Sequence, residues 1–163
     1  MTGTRRKWIR LASATFVAPI FAATLTATLL ALLIFPELIF QTEVTSGVYR
    51  AATLREIATS LVGFSFMGLL FGIILGWPAM LVGGLTAHRL LVRNHATHSL
   101  AYGAAGLAIG TCVMLAYFMI ANGWRDPVAV FRSGPILLSG PLSGFLSAYI
   151  FWMIRRPDRL VTA

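Results

Sequence analysis

The chain has 163 residues, 58 % of them hydrophobic and only 11 % charged, with 13 lysines and arginines against five acids for a formal charge of +8. Soluble domains carry about 25 % charged residues, and a globule this small has too much surface to cover with so few. The same apolar content excludes intrinsic disorder, and a lone cysteine, Cys112, excludes an internal disulfide framework or a cysteine-based zinc site.

What remains is an integral membrane protein. Charged residues cut the sequence into four apolar runs, each as long as the roughly 20 helical residues that cross a hydrocarbon core. The expected spans are 11–36, 57–84, 99–122 and 135–154. None alternates with the period of two of a barrel strand. The expected fold class is therefore all-α, a single membrane domain with a bundle of four transmembrane helices.

Ahead of the first span stand Arg5, Arg6, Lys7 and Arg10. This start loosely resembles a twin-arginine export signal, but the long span behind it leads into more membrane helices rather than a passenger, so it reads as a retained anchor. Thr24, Thr26 and Thr28 lie in the first span among many alanines. The outer loop 37–56 follows, with Leu38-Ile39-Phe40 apolar enough for the membrane interface. Its end, Thr53-Leu54-Arg55-Glu56, has the capping-box pattern, in which a hydroxyl and a carboxylate satisfy orphaned backbone donors of a new helix.

The run that opens at Ile57 is too long for a straight crossing, and Pro78 lies within it between Gly76-Trp77 and Gly83-Gly84. Proline removes a backbone hydrogen bond, so a kink is expected near Gly76–Pro78. The cytoplasmic loop 85–98 then carries Arg89, Arg93 and three histidines, His88, His95 and His98. Imidazoles suit zinc or nickel, but no carboxylate or cysteine accompanies them, so a solvated basic turn is the preferred reading and no metal or other cofactor is expected.

Small residues mark faces where membrane helices approach closely. They recur every four residues as Gly68, Gly72 and Gly76 in the second span, Gly106 and Gly110 in the third, and Gly140 and Gly144 in the fourth. One tight bundle would use them all; alternatively one stripe is left for a partner, and the glycine run of the second span is the one to nominate. Cys112 reads as a small packing residue. The outer loop 123–134 contains Arg125-Asp126-Pro127 and Arg132, read as a salt bridge closing the turn. The tail 155–163 brings Arg155, Arg156 and Arg159.

Nine basic residues thus lie on one side and four on the other, which places both termini in the cytoplasm by the positive-inside rule. The basic face suits anionic lipid head groups, at about 1 kcal/mol per residue. Nucleic acid is not an expected partner, since the clusters are short and no reading element accompanies them. Twelve arginines to one lysine suggest a GC-rich bacterial genome, hence a multi-pass protein of the cell inner membrane.

No Asp, Glu, Lys, Arg or His falls inside a core span, so the groups that proton relays, ion paths and haem ligation require are missing. No nucleophile elbow, zincin helix or phosphate loop occurs, and an enzyme is not expected. The expected function is a non-enzymatic accessory or structural subunit that works through helix packing, with a membrane-protein partner or a second copy of itself. The alternative is a small transporter or channel component for a neutral or small solute, its oligomeric pore lined by Thr24, Thr28, Ser65, Thr111, Ser139 and Ser143.

Overall fold

The computed structural model describes residues 2–45, 47–121 and 134–155, of which 87 % are helical. Four helices are long and apolar enough to cross a membrane. Helix α1 covers Thr2–Ile34 with Pro19 inside it. Pro36 ends that helix and, at the first position of the next, starts the short α2, Pro36–Phe40. Strands β1, Gln41–Thr45, and β2, Val48–Ala51, form an antiparallel hairpin. The long α3, Leu54–Arg93, follows, then α4, Ser99–Ala121. A 3₁₀ segment, Gly134–Leu138, leads into α5, Ser139–Arg155.

The segment 37–56 is more ordered than a loop. Ile39 is buried while Leu38 and Phe40 stay exposed, so only one residue of that apolar triplet packs inward. The hairpin forms where β-branched threonines and valines flank a turn at Gly47, whose φ of 81° suits a residue without Cβ. The Gly47 amide donates to Glu43 Oε1 at 3.1 Å, and the Ala52 amide donates to the Phe40 carbonyl at 2.8 Å.

Two-stranded hairpins are marginal alone. This one is tied to α3 by Arg50, whose two terminal nitrogens donate to the Glu56 carboxylate at 3.1 and 2.7 Å. Glu56 also closes the capping box: it accepts from the Thr53 amide at 2.8 Å, and its own amide donates to Thr53 Oγ1 at 3.4 Å. The Arg50 guanidinium, helped by the Thr53 amide, lowers the carboxyl from 4.5 to about 2, ahead of the apolar run that begins at Ile57. With its folded value depressed, the contribution of Glu56 is complete above pH 4.5 and is lost only as pH falls through about 2. An NMR titration of the Glu56 side chain is expected to show a midpoint near 2 that moves toward 4.5 in Arg50→Gln.

Helix α3 is not broken at Pro78. Two π-helical turns, Gly72–Gly76 and Met80–Gly84, flank the proline, and backbone angles remain right-handed helical at Gly72, Gly76, Trp77, Met80 and Gly84. The Trp77 amide donates to the Gly72 carbonyl and the Leu85 amide to the Met80 carbonyl, each five residues back. Widening the helix on both sides lets the chain pass the missing proline donor with its backbone still right-handed helical.

Helix α3 ends in a Schellman motif. Asn94 caps it, the His95 amide donates to the Val92 carbonyl at 3.2 Å, and the Ala96 amide donates to the Leu91 carbonyl at 2.9 Å. The left-handed residue of that motif is His95, at φ 56°, where glycine is the unstrained choice. His95→Gly is expected to raise stability by up to about 1 kcal/mol, read as a higher midpoint of thermal unfolding in detergent.

The packing puts small residues inside and large ones outside. Ala14, Ala18 and Ala22 on α1 are completely buried, whereas Leu33, Val82 and Leu100 are 73–76 % exposed. Water would favour the reverse; a lipid surround accepts large apolar side chains and leaves close backbone approach to small ones. Helix α1 is central. One of its sides packs on α3, the other on α5, and α5 in turn packs on α4.

Antiparallel ladders of glycine set these contacts. A Cβ on Gly68 would meet the backbone of Ala23 and Thr24 at 2.8 Å; on Gly72 it would meet Ile20 at 2.9 Å, and on Gly76, Pro19 at 2.9 Å. Each four-residue step along α3 is matched by a step back along α1. The Trp77 indole clamps the same crossing by donating to the Phe16 carbonyl at 3.0 Å, with its ring edge-on to Phe16. Between α4 and α5 the approach is tighter still: Gly106 lies against the Gly144 carbonyl and Gly110 against the Gly140 carbonyl.

Candidate functional site: an interhelical cavity with a cationic end

Because α1, α5 and α4 pack in series with α3 on the far side of α1, the bundle closes incompletely between α3 and α4. A cavity of about 580 Å³ lies there, within the roughly 300–1,000 Å³ usual for ligand pockets. All four long helices contribute to its wall, from Phe35 and Ile136 at one end to His88, Tyr102 and Phe151 at the other. Along α4 alone it spans Tyr102 to Phe118, about 24 Å at the helical rise. Met67, Phe71 and Tyr117 line it yet remain 38–55 % exposed, so its wall between α3 and α4 opens sideways. Phe71 and Tyr117 meet there edge to face at 6.2 Å.

The wall is apolar with a few hydroxyls. Ser139, Ser143 and Ser147 contribute from α5 and Thr26 from α1. Thr26 is 3 % exposed and its hydroxyl has no hydrogen-bond partner. That is unusual in company with Thr15, Thr28, Thr59, Thr86 and Thr111, whose hydroxyls all donate to the carbonyl four residues earlier.

One end is aromatic, with arginines beyond its lining. His88 Nδ1 and the Tyr102 hydroxyl are 2.6 Å apart, and Phe151 packs against both rings at centroid distances of 5.3 and 6.3 Å. The Trp152 indole donates to the Thr97 carbonyl at 2.7 Å, which pins the α3–α4 turn to α5. Arg155 follows Phe151 by one turn. Arg89 adjoins His88, and Arg10 adjoins Leu11, which packs on the cluster that holds Tyr102 and Phe151. The Arg155 Nε is buried without a hydrogen-bond partner, and the one ion pair among the described residues, Arg50–Glu56, lies at the opposite end of α3.

The three histidines do not converge: among the described residues no group of three His, Cys, Asp or Glu is arranged to hold a metal. His88 is engaged with Tyr102, and His95 serves the helix terminus. The glycine run of α3 that was nominated for an outside partner is covered by α1, while Gly106, Gly110, Gly140 and Gly144 are covered by each other. Cys112 is exposed on α4 rather than packed. Of the hydroxyls suggested for a pore, Thr28 and Ser65 bond to each other at 2.9 Å, Ser143 bonds to the Gly140 carbonyl, Ser139 lies on the Met114 sulfur, and Thr111 bonds within its helix.

Arg10, Arg89, Arg93 and Arg155 belong to the described residues, as do the backbones of Arg5, Arg6 and Lys7. Arg156, Arg159 and the turn with Arg125 and Arg132 lie outside them. No family model matches the chain, and neither a search of curated proteins nor one of solved structures finds a match.

Proposed function

We propose that the chain is a non-enzymatic accessory or structural protein of a bacterial inner membrane, with four spans and both termini in the cytoplasm. The observation that carries the membrane reading is the packing, with alanine and glycine at the close helix contacts and most of the large leucine, valine and phenylalanine side chains outside. The orientation is supported by the position of Arg10, Arg89 and Arg155 at the end of the bundle where Leu11, Tyr102 and Phe151 pack together, with acidic Glu43 and Glu56 at the other.

The transporter reading is weaker, because most of the hydroxyls it needs are satisfied by neighbouring helices or by their own backbone. In the accessory reading the partner meets the large exposed side chains, since the glycine ladders are occupied within the chain.

The test is extraction from native membranes in mild detergent, separation at native mass, and identification of whatever migrates with the chain. A stable complex with other membrane proteins is expected. Recovery as a lone chain or a homo-oligomer overturns the accessory role, and flux of a neutral solute into liposomes, reduced in Ser143→Val, would replace it with transport.

A further inference from the structure

We infer that the interhelical cavity is a binding site for one anionic lipid, its hydrocarbon chain held between α3 and α4 and its phosphate held by Arg10, Arg89 and Arg155. This rests on the membrane insertion proposed above.

Three observations converge on an amphiphile with one charged end. The cavity is long, apolar and open sideways between α3 and α4, where the surrounding lipid tails would be, so a chain can enter laterally without crossing water. Its inner end is at His88, Tyr102 and Phe151; Arg89 adjoins His88, Arg155 lies one helical turn past Phe151, and Arg10 adjoins Leu11, which packs on the same cluster, and Arg155 holds a buried Nε–H with no acceptor. Like charges gathered this way, with no ion pair among the described residues at that end, call for an anion. Guanidinium groups match phosphate oxygens in geometry as well as charge.

A neutral solute would leave the arginines without a counter-charge, and a soluble anion would leave the cavity empty. Only a molecule with both features uses both. Burial of a chain is driven not by exclusion from water, since tails are already in hydrocarbon, but by filling a space whose lining otherwise lacks contacts.

The experiment uses the full chain, purified in mild detergent and reconstituted in nanodiscs of phosphatidylcholine with a minor fraction of phosphatidylglycerol. Lipid retained after release into detergent is counted by native mass spectrometry. One phosphatidylglycerol per chain is expected, retained in preference to phosphatidylcholine. Arg155→Gln is expected to weaken retention about tenfold, as for loss of one charge-assisted contact.

Ala105→Phe, which places a ring in the cavity wall, is expected to abolish it. Val113→Phe fills the same space from another turn of α4, so misfolding of one variant does not remove the test. Retention of lipid without head-group preference overturns the inference, as does retention that survives both cavity-filling variants when they fold. Displacement of the bound lipid by inorganic phosphate alone would show a phosphate site without a seated chain, and also overturns it. Recovery of the chain in the soluble fraction would instead refute membrane insertion, a separate and distinguishable failure.

Discussion

Gly110→Leu is expected to unfold the bundle or split α4 from α5, with a loss of about 3 kcal/mol or more in detergent denaturation. The reason is geometric. A Cβ at Gly110 already overlaps the Gly140 carbonyl and meets the Gly144 Cα at 3.0 Å, so the obstacle is backbone rather than a side chain that turns aside. Even Gly110→Ala should be destabilising, by about 1–3 kcal/mol. The contrast is Gly63→Ala on the same scale. Nothing lies within 4 Å of a Cβ there, and replacing a helical glycine should be neutral or stabilising by up to about 1 kcal/mol. If Gly110→Leu and Gly63→Ala unfold at the same denaturant concentration, the α4–α5 crossing is wrong.

Gly72→Leu has the second-largest expected effect, a loss of about 2–3 kcal/mol through separation of α3 from α1. A side chain at this position enters between Ile20, Pro19 and Ala23. The outcome also decides how loss of a partner is to be understood. If the variant keeps its wild-type unfolding midpoint but loses a co-purifying protein, the glycine run serves that protein and not α1. Destabilisation with partner loss only as its consequence is the expected result. The Trp77 clamp gives an independent reading of the same contact, since Trp77→Phe keeps the ring but loses the bond to the Phe16 carbonyl, worth about 1 kcal/mol.

The four long apolar helices were legible because their cause is local: each is an apolar run, set off by charges, long enough to cross a membrane. The capping box was legible for the same reason, as Thr53 and Glu56 are three residues apart and act on the same turn. The glycines at four-residue spacing announced close packing but not its direction, because spacing fixes a face and not what lies opposite. Only the register against α1 shows that Gly68, Gly72 and Gly76 are occupied within the chain.

The hairpin after α2 was missed, although Thr42, Val44, Thr45 and Val48 around Ser46-Gly47 are β-branched residues flanking a turn signal. Reading the apolar content of 38–40 as an interfacial loop hid it. The double π-winding of α3 had no local signature beyond proline, which announces a distortion without showing its form. The cavity was out of reach altogether. It arises from the order in which four helices pack, and the aromatic residues at its inner end, His88, Tyr102 and Phe151, come from three of them.

The central position of α1 has a consequence for biosynthesis. Helices α1 and α3 form one hairpin of the membrane domain, and α4 and α5 another, each closed by its own glycine ladder between neighbours in sequence. These can dock as soon as each pair has left the ribosome. The seam that joins the two pairs runs between α1 and α5, the first and last long helices, around Ala14, Ala18 and Phe151. Until α5 is made, one side of α1 stays uncovered, so a nascent chain passes through a half-assembled stage in which its smallest-residue surface lacks a partner helix. That stage is where membrane chaperones and proteases would find the chain most vulnerable, and where a slow final span would limit the yield of the whole protein.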